Sequence, residues 1–324
     1  MKVIIPVAGA GTRLQPHTLT LPKVLLHVGN KPVLAHVLDP LLKLQLEEVI
    51  FIIGFKGELI RDYVQQNYSF KARFVSQEKL LGLGYALHLA LQAVDNGPLL
   101  VILGDTIVEC DLEKFTTAGD YVLGLCHVED PQRFGIAEIS NDWVASLVEK
   151  PQHPRSDLAL IGLYYFHQLS SLKKELQTVV RSGKLTSGEI QLTDALQGMI
   201  NAGTRFVPYE VQEWYDCGKK ETLLQTNRHL LQKLPPPPDI EGSILVRPVF
   251  TAPTARIVNS ILGPNVSIAD GAVVENSILK DTIISAQARV KNIILENSLV
   301  GRNTTIAGDV QIVNVVDSSQ VGSP

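Results

Sequence analysis

The residues best placed to do chemistry stand at the start of the chain, in Ile4-Pro-Val-Ala-Gly-Ala-Gly-Thr-Arg-Leu-Gln-Pro-His-Thr-Leu-Thr-Leu-Pro-Lys23. An apolar strand runs straight into Gly9 and Gly11, and the cations Arg13 and Lys23 follow. A loop without bulky side chains lets backbone N–H groups approach a polyanion, and two cations neutralise its charge. A nucleoside triphosphate is the ligand that such a loop suits. The dinucleotide fingerprint G-x-G-x-x-G fails here because Leu14 replaces its third glycine, and a P-loop fails because no Gly-Lys-Ser/Thr follows.

A loop of this kind needs a sheet to hold it. Short apolar runs at Val3–Val7, Val49–Ile53, Ala72–Val75 and Leu99–Leu103 predict strands. Between them, helical spacing predicts helices over Val33–Leu46, Glu58–Gln66 and Tyr85–Val94. This alternation implies a Rossmann-like α/β domain with a mostly parallel sheet, and ligands bind outside the carboxyl ends of such strands. The glycine loop and Asp105 both fall on that rim. Residues 106–234 are more mixed, with strands around Tyr121–Cys126, Ala137–Ile139 and Leu160–Phe166. Helices are expected at Ser171–Arg181, Gln191–Ala202 and Lys219–Leu234, the last stopped by Pro235-Pro-Pro-Pro238.

The chain after these prolines changes character. Aliphatic residues recur sixteen apart in three series: Leu262, Ile278, Ile294 and Val310; Ile268, Ile284, Val300 and Val316; Val258, Val274, Val290 and Ile306. Three such columns, with Asn, Ser, Gly and Asp between them, predict a triangular parallel solenoid and disfavour an antiparallel sandwich. The expected organisation is a catalytic domain over 1–234, a proline-rich linker over 235–243 and a short β-helix over 244–324.

Bulk properties narrow the classes further. Of 324 residues, 45% are hydrophobic and 19% charged, with a net charge of −4, so neither wholesale disorder nor a nucleic-acid or acidic-membrane partner is indicated. The three cysteines, Cys110, Cys126 and Cys217, are few and far apart, which fits a reduced cytoplasm and not a disulfide scaffold or zinc site. No apolar run reaches the ~18 residues of a membrane span, and Val3–Ala8 does not read as a signal peptide. His17, His27 and the cysteines read as packing or loop residues.

With Arg13, Pro16, Thr18, Pro22 and Lys23 all in place, the opening loop resembles that of the sugar-1-phosphate nucleotidylyltransferases. The resemblance continues for about 220 residues. Ser76-Gln-Glu-Lys-Leu-Leu-Gly-Leu-Gly-Tyr-Ala86 resembles the family's base-reading segment, in which Gln77 would pair with a pyrimidine edge and Gly82 would let the base approach. Leu103-Gly-Asp105 resembles the metal-carboxylate motif, and Asp216, in Tyr215-Asp-Cys-Gly218, the second magnesium carboxylate. Val148-Glu-Lys-Pro151 resembles the sugar strand, with Glu149 accepting sugar hydroxyls and Lys150 facing the sugar phosphate. Gly135, in Arg133-Phe-Gly-Ile136, and Gly162 match positions beside the sugar, and Gly188-Glu-Ile-Gln-Leu-Thr-Asp194 completes the set. Singly, Gln77, Asp105, Lys150 and Asp194 read as ordinary turn, helix or surface residues; their order after the loop reverses that reading.

The resemblance implies nucleotide contacts from Ala8, Gly9, Gly11, Thr12, Arg13, Lys23, Gln77 and Gly82, and catalysis by Arg13, Lys23 and Asp105 with Mg2+. The expected partners are dTTP or UTP and a hexose-1-phosphate, such as glucose-1-phosphate. The tail resembles a left-handed hexapeptide β-helix. Acyltransferases with that fold use a histidine base, whereas no histidine follows His229 here, so the tail is expected to build a homo-oligomer. The rival reading, a non-catalytic regulatory or scaffold homologue that binds nucleotide sugars, would be favoured by loss of Arg13, Lys23 or Asp105, and all three are present.

Overall fold

The structure, a computed structural model, describes residues 1–308. By contacts the chain divides into two compact units, Met1–His27 with Lys31–Thr226, and Val28–Asn30 with Asn227 onward. Helix Lys220–Lys233 therefore gives its first residues to the first unit and the rest to the second.

The first unit is built on a nine-stranded sheet. Strand Lys2–Pro6 lies at its centre, parallel to Glu48–Ile53 on one side and Leu99–Ile102 on the other, and Ala72–Ser76 extends the parallel half. Beyond Leu99–Ile102 the sheet turns antiparallel through Leu158–Phe166, Gly135–Ser140 and Trp143–Glu149. Strand Tyr121–His127 pairs antiparallel with Leu158–Phe166 and parallel with Val207–Glu210.

The continuous apolar strands reflect burial on both faces. Ile4, Ile50, Ile52, Leu99 and Val101 pack on one side with Leu87, Leu172 and Leu196 from three helices. Their neighbours Val3, Ile5, Phe51, Leu100 and Ile102 face the other way, against Leu38, Ile60 and Phe115, as the period-two alternation of a strand requires.

Two expectations need adjusting. The first helix spans Val33–Leu41 and not Val33–Leu46; Pro40 brings no amide to its last turn, and Leu42–Leu44 continue only as turns. Three short strands, Thr106–Glu109, Val207–Glu210 and Glu213–Asp216, were not expected. The first and last form a separate antiparallel pair in which Asp216 lies opposite Thr106.

The second unit is a stack of three four-stranded parallel sheets. One sheet contains Ile244–Leu245, Ile261–Leu262, Ile278–Lys280 and Ile294–Glu296; the others begin at Val249 and Arg256. This is the architecture of the expected short parallel β-helix. The series Ile268, Ile284 and Val300 is a true inward column, with all three members buried.

The other two series slip by one residue. Ile278 and Ile294 pair with Ile261 and face outward, and the inward column is Leu262, Leu279 and Leu295. Likewise Val258 pairs with Glu275, so the column above Val274, Val290 and Ile306 starts at Ile257. The cause is coil length: Leu245, Leu262 and Leu279 are seventeen apart, whereas Leu279 and Leu295 are sixteen apart. The corners holding Pro248 and Pro264 carry the extra residue. Val310 and Val316 lie outside the described residues.

From Asn259 to Asn303 the corners of the coil turn through the left-handed region. Asn259, Asn276 and Asn292 form one such column, Asn265, Asp281 and Asn297 a second, and Gly271, Gln287 and Asn303 a third. Glycine, Asn and Asp are the residues that reach this region at least cost, which explains the polar residues spaced between the aliphatics. Serines continue the ladder: Ser277 N–H donates to Ser260 Oγ at 3.2 Å and Ile293 N–H to Ser277 Oγ at 3.3 Å.

Candidate active site

The loop after strand Lys2–Pro6 is shaped by short-range bonds. Gly11 takes φ 64°, and its carbonyl accepts from Leu14 N–H at 2.9 Å and from the Thr18 hydroxyl at 2.8 Å. Three short 3-10 turns follow, Thr12–Leu14, His17–Leu19 and Lys23–Leu25. They leave Thr12 and Arg13 exposed, while Ala8, Leu14, Thr18 and Val24 are buried. Gly9 lies beside the Lys23 stem, its missing methyl 3.6 Å from Cε. The His17 imidazole is held below its usual proton affinity, mainly by burial and secondly by Lys220.

Four charged groups from three separate stretches meet beyond this loop. The Lys23 ammonium is ion-paired with Asp105 Oδ2. Asp105 follows strand Leu99–Ile102, and its carbonyl accepts from Cys217 N–H at 3.1 Å, which ties it to the residue after Asp216. Beside them is Gly218, where a methyl would stand 2.8 Å from Asp216 Oδ1 and 3.1 Å from Arg13 Nη2. Burial raises the proton affinity of Asp216 first, and the negative charge of Asp105 raises it further; Arg13, Lys23 and Arg133 oppose both. Arg13, Lys23, Asp105 and Asp216 therefore share one electrostatic environment.

The segment from Gln77 to Gly84 has its own bracing. Gln77 is buried, its backbone N–H donates to Ile53 O at 2.8 Å, and its side-chain amide donates to Lys79 O at 3.0 Å. Gly82 has φ 104°, and a methyl there would stand 2.7 Å from Ile190 O, so no larger residue fits. Main-chain bonds close the contact: Ile190 N–H donates to Leu81 O at 2.8 Å and Gly84 N–H to Ile190 O at 2.9 Å.

Gly135, Glu149 and Gly162 lie on a third set of strands, and Lys150 directly follows one of them. Gly135 and Glu149 are cross-strand partners. Glu149 Oε2 accepts from the Thr193 hydroxyl at 2.6 Å, and its Oε1 lies 3.8 Å from Lys150 Nζ. Lys150 sits at φ 43° and donates its N–H to Phe134 O at 2.9 Å. Gly162 interrupts strand Leu158–Phe166 at φ 80°, where the register with Tyr121–His127 shifts. Its carbonyl accepts from Leu103 N–H at 3.0 Å, two residues before Asp105.

Two residues here escaped sequence reasoning. Thr193 lies within the quoted Gly188–Asp194 motif, but nothing in its spacing announces a bond to Glu149. Trp214 packs edge-on against Phe134, with ring centroids 5.2 Å apart, and its indole N–H is buried without a partner. With Arg133, Gln225 and Asp216 it lines a cavity of about 420 Å3. Asp194, the end of the same motif, faces Lys184 at 3.6 Å. Cys217 is buried and Cys110 and Cys126 are half-buried, all three free thiols.

Comparison with known proteins shows what the chain is similar to. The chain is 30% identical to a glucose-1-phosphate thymidylyltransferase of Streptomyces griseus, over 96% of this chain and 95% of that protein. It is 33% identical to the low-salt glycan biosynthesis nucleotidyltransferase Agl11 of Haloferax volcanii, over 72% of this chain and 66% of that one. Among solved structures, UDP-glucose pyrophosphorylase complexed with UDP-glucose superposes with a TM-score of 0.64 at 24% identity, covering 72% of this chain and 99% of that one; this similarity speaks to fold. The model of the family described as nucleotidyl transferase matches residues 2–233, the stretch that contains the glycine loop, both aspartates and strand Trp143–Glu149, and the chain belongs to that family.

Proposed function

We propose that the protein is a sugar-1-phosphate nucleotidylyltransferase that converts dTTP or UTP and glucose-1-phosphate to the nucleoside diphosphate glucose and pyrophosphate. The observation that carries the reading is the meeting of Arg13, Lys23, Asp105 and Asp216 at the rim of the parallel sheet. In this reading Arg13 and Lys23 hold the triphosphate over the backbone of Ala8–Thr12, Gln77 pairs with the base edge, and Gly82 gives the base room. Glu149 accepts sugar hydroxyls beside Gly135 and Gly162, and Lys150 binds the incoming phosphate.

A sugar-1-phosphate oxygen is already anionic at neutral pH, so its attack on the α-phosphate needs no general base. The barrier lies in bringing two polyanions together and in stabilising charge on the α-phosphate and leaving pyrophosphate, so positioning and electrostatics carry the catalysis. Asp105 and Asp216 fit a hard dication: they are neighbouring carboxylates whose mutual repulsion a cation would relieve. Bound there, Mg2+ would supply Lewis-acid stabilisation of phosphate oxygens. The expected course is in-line displacement without a covalent enzyme intermediate.

The proposal keeps catalysis in residues 1–234, joined by 235–243 to a β-helix over 244–324. It places the reaction in the cytoplasm, which the free thiols support. Among the described residues no helix is long and apolar enough to cross a membrane. We assign the chain a homo-oligomeric state through its coils, supported by the outward column Ile244, Ile261, Ile278 and Ile294, of which Ile294 is 71% exposed.

The test is a substrate matrix: protein, Mg2+, each of four nucleoside triphosphates and several hexose-1-phosphates, read by pyrophosphate release. Release is expected with dTTP or UTP and glucose-1-phosphate, and Asp105→Asn should abolish it while the protein remains folded. Silence across the whole matrix would overturn the reading.

A further inference from the structure

The turn between strand Glu48–Ile53 and helix Gly57–Asn67 reads Gly54-Phe-Lys-Gly57. Contact fixes both glycines. A methyl on Gly54 would stand 2.7 Å from the Ala8 carbonyl oxygen, and one on Gly57 would stand 2.8 Å from Ile53 Cβ. The left-handed residue of the turn is neither of these but Lys56, at φ 59° and ψ 29°. A lysine is strained in that region where a glycine is not. A side chain kept at such a position invites the question of what it holds.

It holds the glycine loop. The Lys56 ammonium donates to the Leu19 carbonyl and lies 5.1 Å from the centroid of the Phe55 ring, which offers it a second attraction. Leu19 ends the middle 3-10 turn of the loop, between Arg13 and Lys23. The loop's own bonds are short-range: Leu14 to Gly11, Leu19 to Pro16, Leu25 to Pro22 and Leu26 to Lys23, with N···O distances from 2.9 to 3.1 Å. The Thr18 hydroxyl on the Gly11 carbonyl also joins the first turn to the second, but none of these bonds reaches outside the loop. Gly54 against Ala8 and Lys56 on Leu19 fasten the loop to the turn at two points.

We propose that Lys56 is a positioning residue for the triphosphate, a clasp that sets the loop at the angle at which Arg13 and Lys23 converge. The inference rests on the nucleotidyl-transfer reading above. It separates Lys56 from the cations that touch phosphate: Lys56 acts through the Leu19 carbonyl.

The decisive variant is Lys56→Gly, which relieves the backbone and removes the clasp; Lys56→Arg retains the reach and the charge. In Lys56→Gly the amides of Leu14, Leu19, Leu25 and Leu26 should exchange with deuterium faster, while Tm does not fall. The triphosphate KM should rise roughly fivefold, the scale of one partly exposed charge-assisted hydrogen bond, with kcat and the sugar-phosphate KM unchanged. Lys56→Arg should restore both readouts. Unchanged loop exchange in Lys56→Gly overturns the clasp, as does an equal rise in both KM values together with a lower Tm. Wild-type protein that releases no pyrophosphate overturns the catalytic reading instead, and the exchange measurement still judges the clasp.

Discussion

Asp216 is the residue whose charge the fold resists most clearly within the site. Burial and the neighbouring Asp105 both make its ionised form costly, so its pKa in the folded chain exceeds that of an ordinary aspartate. The native state therefore binds this proton more readily than the unfolded chain. The contribution to stability is whole below the unfolded pKa and is lost as pH rises through the folded one. Asp216→Asn should then raise Tm by a few degrees at pH 7 in the absence of metal, and the gain should vanish near pH ~4. Thermal melts across that range check it, and a variant less stable at pH 7 would contradict the electrostatics. The aspartate itself was legible because it sits in a contiguous motif with Tyr215 and Gly218. Thr193 was not: its partner Glu149 is 44 positions away, and no local pattern records a pairing made by two elements folding together.

Strands and helices of the first half were readable because the runs within Lys2–Pro6, Glu48–Ile53 and Leu99–Ile102 bury both faces and each helix buries one. What stayed hidden is the short pair Thr106–Glu109 and Glu213–Asp216. Four residues of alternation are too few to stand out, and their pairing joins segments over a hundred residues apart. Gly162 shows how the backbone of an element can govern a neighbouring side chain of the site. A methyl there would meet the Leu103 side chain at 2.5 Å, on a backbone at φ 80° that side chains rarely adopt. Gly162→Ala should cost about 2–4 kcal/mol. Because Leu103 leads into Asp105, kcat should fall more than the lost stability explains. Denaturant unfolding alongside steady-state kinetics separates the two effects, and a variant of wild-type stability would show that the bulge is not required.

At the scale of the molecule, the proline run was the visible boundary, yet contacts assign Asn227 and Arg228 to the second unit. Asn227 is fully buried there, accepting from Ser267 Oγ at 2.7 Å and from Gly29 N–H at 2.8 Å, and Arg228 Nε lies 2.6 Å from Asp281 Oδ1. Ending the chain after Pro238 would remove Ser267 and Asp281 and leave both residues without these partners. That truncation should lower Tm and abolish self-association, measured by scanning fluorimetry and light scattering. A truncated protein that assembles normally would remove the coils from the interface.

The coil corners have a consequence for how this tail can change in length. The coil of residues 278–293 is sixteen long and ends where the next begins with the same order of outward isoleucine, inward leucine and left-handed corner. Removing it joins Ser277 to Ile294 without disturbing any column, whereas the coil of residues 261–277 is seventeen long and has to leave as seventeen, since a sixteen-residue excision there leaves one residue over for a corner or strand to absorb. The tail is thus editable only in whole coils, and the length of a neutral recombination differs along it: seventeen residues in the first two coils, sixteen at residues 278–293.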